Sequence, residues 1–144
     1  MPINPDHVGR EYPATQPYRV SRAKIAEFAT ALGDTNPAYF DTQAPIAPPT
    51  FAAVIAAQAW NALFTDPELG LALHRMIHAD QRFDVVRPLR EGDDVVATLT
   101  IKKVRNRGQV DMITVDVALA TVEGEDLGSA TSQLIHTRPE EDVQ

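Results

Sequence analysis

The residues of this chain best suited to acid–base chemistry lie together between positions 34 and 39. Asp34, Asn36 and Tyr39 place a carboxylate, a carboxamide and a phenol in one short segment, residues 33–39, which reads GDTNPAY. Asp and Asn side chains bond to nearby backbone groups, and a proline disfavours helical geometry at the residue before it. The segment therefore predicts a tight turn, in which Asp34 and Asn36 either cap the backbone or face a ligand.

A helix is predicted on each side of this turn. Apolar residues recur at helical spacing after Ser21, a good N-cap, and stop at Gly33, a residue typical of helix ends. Residues 44–50 contain three prolines and predict a stiff, extended approach to the second helix. Residues 51–64 have only two polar positions, so we expect a helix that is enclosed on nearly every side.

From residue 76 onward the apolar residues recur with a period of two, which indicates strands. Links at 105–108 and 123–126 each contain a glycine and suit hairpins, and a further strand is expected at 127–137. The more polar segment 76–87 predicts a strand at a sheet edge or a dimer seam, and 17–20 predicts a short first strand. Two apolar faces are the clearest: Val95, Ala97, Leu99 and Ile101, then Ile113, Val115, Val117 and Leu119. The economical packing is α+β, an antiparallel sheet curled around a buried helix, as in the hotdog fold.

Composition limits the classes of function. The chain has 144 residues, a formal charge of −7 and no cysteine. An acidic protein is a poor match for nucleic acid or anionic membranes, and the absence of cysteine favours a reducing cytoplasm. The apolar stretch 51–64 would span about 21 Å as a helix, too short for a bilayer core of about 30 Å. We expect a single domain over 1–138 and a flexible acidic tail over 139–144.

The turn resembles the signature Gly-Asp-x-Asn-Pro-x-His of the MaoC-like dehydratases and R-specific enoyl-CoA hydratases, with Tyr39 at the histidine position. The likeness extends from about residue 8 to residue 138. In finer detail the chain resembles the N-terminal MaoC-type, FAS1-like dehydratase subunits of (3R)-hydroxyacyl-thioester dehydratases. Those subunits pair with a separate MaoC-like chain that carries the catalytic residues.

This resemblance implies a role for each matching residue. Asp34 would hold the water that adds to C3, Asn36 would position the site, and the amides that follow Pro49, near Thr50 and Phe51, would polarise the thioester carbonyl. Tyr39 departs from the family histidine. A free phenol offers roughly three thousand times less of its basic form at neutral pH than an imidazole does. General-base catalysis contributes about 10² to 10⁴-fold, so this replacement is large enough to remove it.

Other candidate residues carry less specific signals. His78 lies just before residues 80–82 on the polar strand that would face a dimer partner, where it could bind substrate or replace the missing base. His74 and His78 have a spacing found in helical metal sites, but they straddle a loop-to-strand boundary and no metal site is expected. Lys102, Lys103, Arg105 and Arg107 cluster at a predicted hairpin, either as a solvated turn or facing a phosphate. No glycine loop or dinucleotide fingerprint occurs, so no cofactor is expected.

The resemblance therefore implies a hotdog subunit of a (3R)-hydroxyacyl-thioester dehydratase that needs a MaoC-like partner. It implies a CoA or acyl-carrier-protein thioester as substrate, and a homodimer where the partner is absent. Two alternatives stay open. One is a self-sufficient homodimeric hydratase that uses His78 or an activated Tyr39, and the other is a protein that binds acyl thioesters without turnover.

Overall fold

The computed structural model of the protein describes residues 2–140 and contains a curled, five-stranded antiparallel sheet. The order of the strands across the sheet is β1-β3-β4-β5-β2. The alternating apolar residues of β3, β4 and β5 are buried on the concave face, as the period-two pattern predicts. The strands are β1 (Tyr18–Arg19), β2 (Met76–Val85), β3 (Asp94–Arg107), β4 (Val110–Thr121) and β5 (Asp126–Thr137).

The first helix has the predicted bounds. Helix α1 covers Arg22–Leu32, its N-cap Ser21 accepts a hydrogen bond from the Lys24 amide, and Gly33 ends it in the left-handed region at φ 69°. A short 3-10 turn, Pro37–Phe40, follows and presents Tyr39 to the core. The turn motif thus lies directly between α1 and the segment that leads to the central helix.

The second helix is divided rather than continuous, which corrects the expectation for residues 51–64. A 3-10 turn at Pro49–Phe51 leads into α2 (Ala52–Ala59), and α3 (Asn61–Thr65) follows. Trp60 keeps helical angles, but its amide bonds to the Ala57 carbonyl at 3.2 Å, so the helix tightens there rather than bending away.

The central helix is also less enclosed than its composition predicts. Its buried side chains, Ala52, Ile55, Ala56, Ala59 and Leu63, form a single stripe that packs into the concave face of the sheet. Ala57, Gln58 and Asn61 are exposed in the single chain. One sheet can cover only one face of a helix, so the opposite face stays open. The hotdog fold itself is confirmed.

Two smaller expectations need adjustment. The strands of the first hairpin extend to Arg107 and resume at Val110, so the link is shorter than 105–108. A threonine before an apolar helix is also expected to cap it, but Thr50 makes no capping hydrogen bond at the start of α2, because it lies within the preceding 3-10 turn. Most of the predicted acidic tail, residues 141–144, lies outside the described residues.

The two long edges of the sheet differ. The N-terminal segment runs along β3 and bonds to its backbone, with Gly9 N to Ile101 O at 2.8 Å and Tyr12 N to Leu99 O at 3.0 Å. At the other edge, β2 pairs with β5 on one side only. The exposed apolar side chains there include Ile77 and Val85, at 61% and 51% exposure. The β2 edge is therefore open, whereas the β3 edge is covered.

Gly128 gives a direct test of how β2 and β5 meet. Its φ is 111°, and a β-carbon at this position would overlap the Asp84 carbonyl oxygen of β2. We expect Gly128→Ala to lower the free energy of unfolding by at least about 2 kcal/mol more than Gly124→Ala does. Gly124 has a similar φ of 97° with nothing within 4 Å of its added β-carbon, so it reports backbone strain alone. Equal losses in urea denaturation would contradict this packing.

Candidate functional site

A cavity of about 130 Å³ lies between the start of α2 and one end of the sheet. Its apolar wall includes Tyr39, Pro49, Ala52, Phe83, Leu119 and Leu127. The polar and charged residues that line it are Asn36, Asp84, Arg87 and Ser129. A mainly apolar hollow with a few polar groups at its rim is the usual character of a small-molecule site.

The turn motif lies against this cavity but is largely occupied with its own backbone. Asp34 accepts a hydrogen bond from the Asn36 amide at 3.0 Å, and Asn36 in turn accepts one from the Ala38 amide at 3.0 Å. Asn36 contributes to the cavity wall, whereas Asp34 does not. Tyr39 is 8% exposed and also lines the cavity. Asn36 and Tyr39 therefore line the cavity, whereas Asp34 lies in the adjacent turn and does not.

The start of the central helix supplies a narrower set of donors than the sequence suggests. Pro49 lines the cavity, but Phe51 is fully buried and packs edge-on against Phe28 at 5.4 Å between ring centroids. The Phe51 amide donates to the Pro48 carbonyl at 2.9 Å. Pro48 and Pro49 have no N–H group, and Thr50, whose amide the sequence analysis placed near the thioester carbonyl, is exposed and does not line the cavity.

His78 lies away from the other candidates. It is exposed on β2, its Nε2 is 3.0 Å from Gln81 Oε1, and its ring meets Trp60 edge-on at 4.9 Å. The cavity touches β2 at Phe83 and beyond, five residues further along the strand, which is about 17 Å. His78 therefore does not share a cavity with Tyr39 within the single chain.

An arginine that the sequence analysis did not single out holds the cavity wall in place. Arg87 donates to both carboxylate oxygens of Asp93, at 2.9 and 3.0 Å, and to both of Glu125, also at 2.9 and 3.0 Å. Burial opposes ionisation of Asp93, but hydrogen bonds from Arg87 and the Arg90 amide hold its pKa below the usual range. The hydrogen bond from Arg87 also lowers the pKa of Glu125. One guanidinium thus closes the β2–β3 loop on itself and ties it to the β4–β5 link at the cavity end of the sheet.

A second buried polar group lies at the opposite end of the sheet. Asp111 and His136 are fully buried, Arg138 Nε donates to Asp111 at 2.9 Å, and the Ala72 amide donates to His136 Nε2 at 3.2 Å. These groups satisfy one another and fasten the 66–75 loop to β5, so they act as structure. Across residues 2–140, no cluster of three or more metal-ligating side chains occurs, and no helix is long and apolar enough to cross a membrane.

A family model, curated relatives and solved structures all relate this chain to dehydratase-type domains or to proteins of the same length. The model of the FAS1-like dehydratase domain region matches residues 6–129. A UPF0336 protein of Cutibacterium acnes is 58% identical over 97% of this chain and 98% of its own length. The solved HadBC (3R-hydroxyacyl-ACP dehydratase) complex of Mycobacterium tuberculosis aligns with TM-score 0.76 and 26% identity, over 90% of this chain and 97% of that one. A MaoC-like dehydratase aligns with TM-score 0.82 and 24% identity, and the chain covers 43% of that protein's length.

The Arg87 cluster predicts a pH-dependent contribution to stability. Because Asp93 and Glu125 have lowered pKa values in the folded state, their pairing stabilises the protein above about pH 4 and is lost as the pH falls through the folded values. We expect Arg87→Met to cost about 2 kcal/mol at pH 7 and much less at pH 3, measured by urea denaturation. The control Arg19→Met breaks an exposed pair with Asp94, and its cost should be much smaller than that of Arg87→Met at pH 7. An equal cost of Arg87→Met at both pH values would contradict the assignment.

Proposed function

Because this chain belongs to the FAS1-like dehydratase domain family, we propose that it is a subunit of a (3R)-hydroxyacyl-thioester dehydratase and enoyl hydratase. Its substrate is an acyl-carrier-protein or CoA thioester, and it acts in the cytoplasm with a MaoC-like chain that supplies the catalytic aspartate and histidine. The subunit contributes the fold, the apolar cavity and a part of the site that orients the thioester.

One observation carries this proposal. The cavity has a tyrosine where the family signature has a histidine. Among residues 2–140, the one carboxylate that lines it belongs to Asp84, which is exposed and pairs with Arg82 at 3.2 Å. One carboxylate oxygen of Asp34 accepts a hydrogen bond from the Asn36 amide, and Asp34 does not line the cavity. Addition of water to an enoyl thioester needs a base to take a proton from the water. The cavity of the single chain is well shaped for an acyl group and poorly equipped for that step.

The open β2 edge supports the partner in this proposal. Ile77 and Val85 are exposed beside unpaired backbone groups of β2, and Ala57 and Gln58 are exposed on the free face of α2. Natural sheets usually cover or charge such an edge. The structural neighbours include two solved assemblies of paired chains, HadBC and ChsH1-ChsH2, both from Mycobacterium tuberculosis. A MaoC-like chain that extends the sheet at β2 would cover both surfaces.

One set of variants separates this subunit role from self-sufficient catalysis. In a purified complex with a MaoC-like partner, Asp34→Asn and Tyr39→Phe in this chain should change kcat for crotonyl-CoA hydration by less than about fivefold. Replacement of the partner's catalytic aspartate or histidine should lower kcat by about 10² to 10⁴-fold. His78→Ala should also leave kcat within fivefold. A large loss of kcat in the Asp34→Asn or His78→Ala variant, with little effect of the partner's substitutions, would show that the partner is not the source of the base.

Another pair of variants tests whether the β2 edge binds the partner. Ile77→Lys puts a charge on the open β2 edge, so we expect it to abolish co-elution with the partner in size-exclusion chromatography. Val122→Lys is the matched control, because Val122 is also exposed, at 48%, but lies at the turn after β4. Circular dichroism should show both variants folded. Retention of the complex by Ile77→Lys, or its loss with Val122→Lys, would place the interface elsewhere.

A further inference from the structure

The hairpin between β3 and β4 is strongly basic in an acidic protein. Lys102, Lys103, Arg105 and Arg107, here called the basic hairpin, lie within six residues of a chain whose formal charge is −7. None of the four forms an ion pair with any residue in the range 2–140. The paired arginines of the chain are Arg10, Arg19, Arg22, Arg82, Arg87 and Arg138.

A shallow hollow lies under two of these cations. Lys103 and Arg105 border a depression of about 70 Å³ on the convex face of the sheet, with Met112 and Ile135 on its floor. The pairing of β3 with β4 shifts register between Ile101 and Lys103, so two successive lysines are both exposed at this point. The cationic side chains can bind a phosphate group, and the apolar residues of the hollow can contact an uncharged part of the same ligand.

A path of small and polar side chains connects this hollow to the cavity. Along the convex face of β4, Thr114 is followed by Asp116 and Ala118, a distance of about 13 Å from first to last. The Thr131 hydroxyl, on β5, donates to Asp116 at 2.9 Å. Ala118 borders an open groove of about 380 Å³, and Ser129 lines both this groove and the cavity. Thr114 borders the hollow, Ala118 borders the groove, and Ser129 borders both the groove and the cavity, so these residues mark a route from the basic hairpin toward the cavity.

We propose that the basic hairpin docks an acidic acyl carrier protein and that the phosphopantetheine arm follows this path to the cavity. Lys103 and Arg105 bind the phosphate of the arm, and the hydroxyl and carboxylate groups of Thr114 and Asp116 face its amide groups. The inference rests on the proposed function, since it concerns delivery of the same thioester.

The spacing of the cations favours a carrier protein over free CoA. Lys102 and Arg107 are five residues apart on β3, roughly 16 Å, so the four cations cover a wider strip than one phosphate group occupies. With Lys103 and Arg105 on the phosphate of the arm, Lys102 and Arg107 remain for carboxylates on the surface of a protein. The acidic remainder of this chain repels an acidic partner, so the basic hairpin also sets the orientation in which that partner approaches.

The test compares two charge reversals of equal size in the assembled complex. Lys103→Glu alters the hairpin, and Lys24→Glu is the control, because Lys24 is exposed on α1 and has no ion pair with the described residues. The probe is a fluorescently labelled carrier protein loaded with a crotonyl group on its phosphopantetheine, titrated by anisotropy. We expect Lys103→Glu to raise Kd about tenfold at 50 mM NaCl and far less at 0.5 M NaCl, with Lys24→Glu close to wild type.

Three results would overturn the inference. The first is an equal effect of Lys103→Glu and Lys24→Glu on Kd, and the second is a loss of affinity that does not depend on salt. The third is a rise in the KM for crotonyl-CoA as large as the rise in Kd for the carrier protein, which would assign the cations to CoA. The binding readout does not need turnover. A complex that binds the carrier through Lys103 but hydrates nothing would refute the proposed function alone. An active complex indifferent to Lys103→Glu would refute only the docking site.

Discussion

The distance between the central helix and the sheet is set by the size of the side chains between them. Ala52, Ala56 and Ala59 lie on the buried stripe of α2 and present only methyl groups to the concave face. A close approach of this kind lets β3, β4 and β5 curl around the helix, and close packing penalises any larger residue at the contact. Because the Pro49–Phe51 turn is continuous with α2, this contact also fixes the position of the cavity mouth.

The same constraint leaves part of the helix and of the sheet uncovered in the single chain. The sheet covers one face of the helix, so the exposed face of α2 and the open edge of β2 lie next to each other. The polar residues that were candidates for chemistry lie at three separate places in the single chain. Asn36 and Tyr39 reach the cavity, Asp34 serves the turn, and His78 lies on the open edge. Under the proposed function, one partner chain covers the open surface and supplies the base.

Local patterns in the sequence predict the elements well. Capping by Ser21, the end at Gly33 and the alternation in β3 and β4 depend on interactions within a few residues, so the sequence contains the full signal. The turn of residues 34–36 also forms as its Asx chemistry predicts. The edge position of β2 follows from its polarity.

Long-range contacts could not be predicted in this way. The pairing of β2 with β5, the cover of residues 9–20 over β3 and the exposed face of α2 depend on the shape of the whole sheet. The Arg87 cluster joins residues that are 6 and 38 positions apart, and no local motif marks it. The apolar composition of residues 51–64 predicted enclosure because composition does not distinguish burial within one chain from burial against a second.

The central claim is that this chain provides the cavity and a second chain provides the base. The most direct measurement holds a MaoC-like partner at a fixed low concentration and follows the initial rate of enoyl-thioester hydration as this chain is added. The account predicts a rate that rises from near zero and reaches a plateau at a one-to-one ratio. A rate that keeps rising in proportion to this chain, or that is the same without the partner, would contradict it.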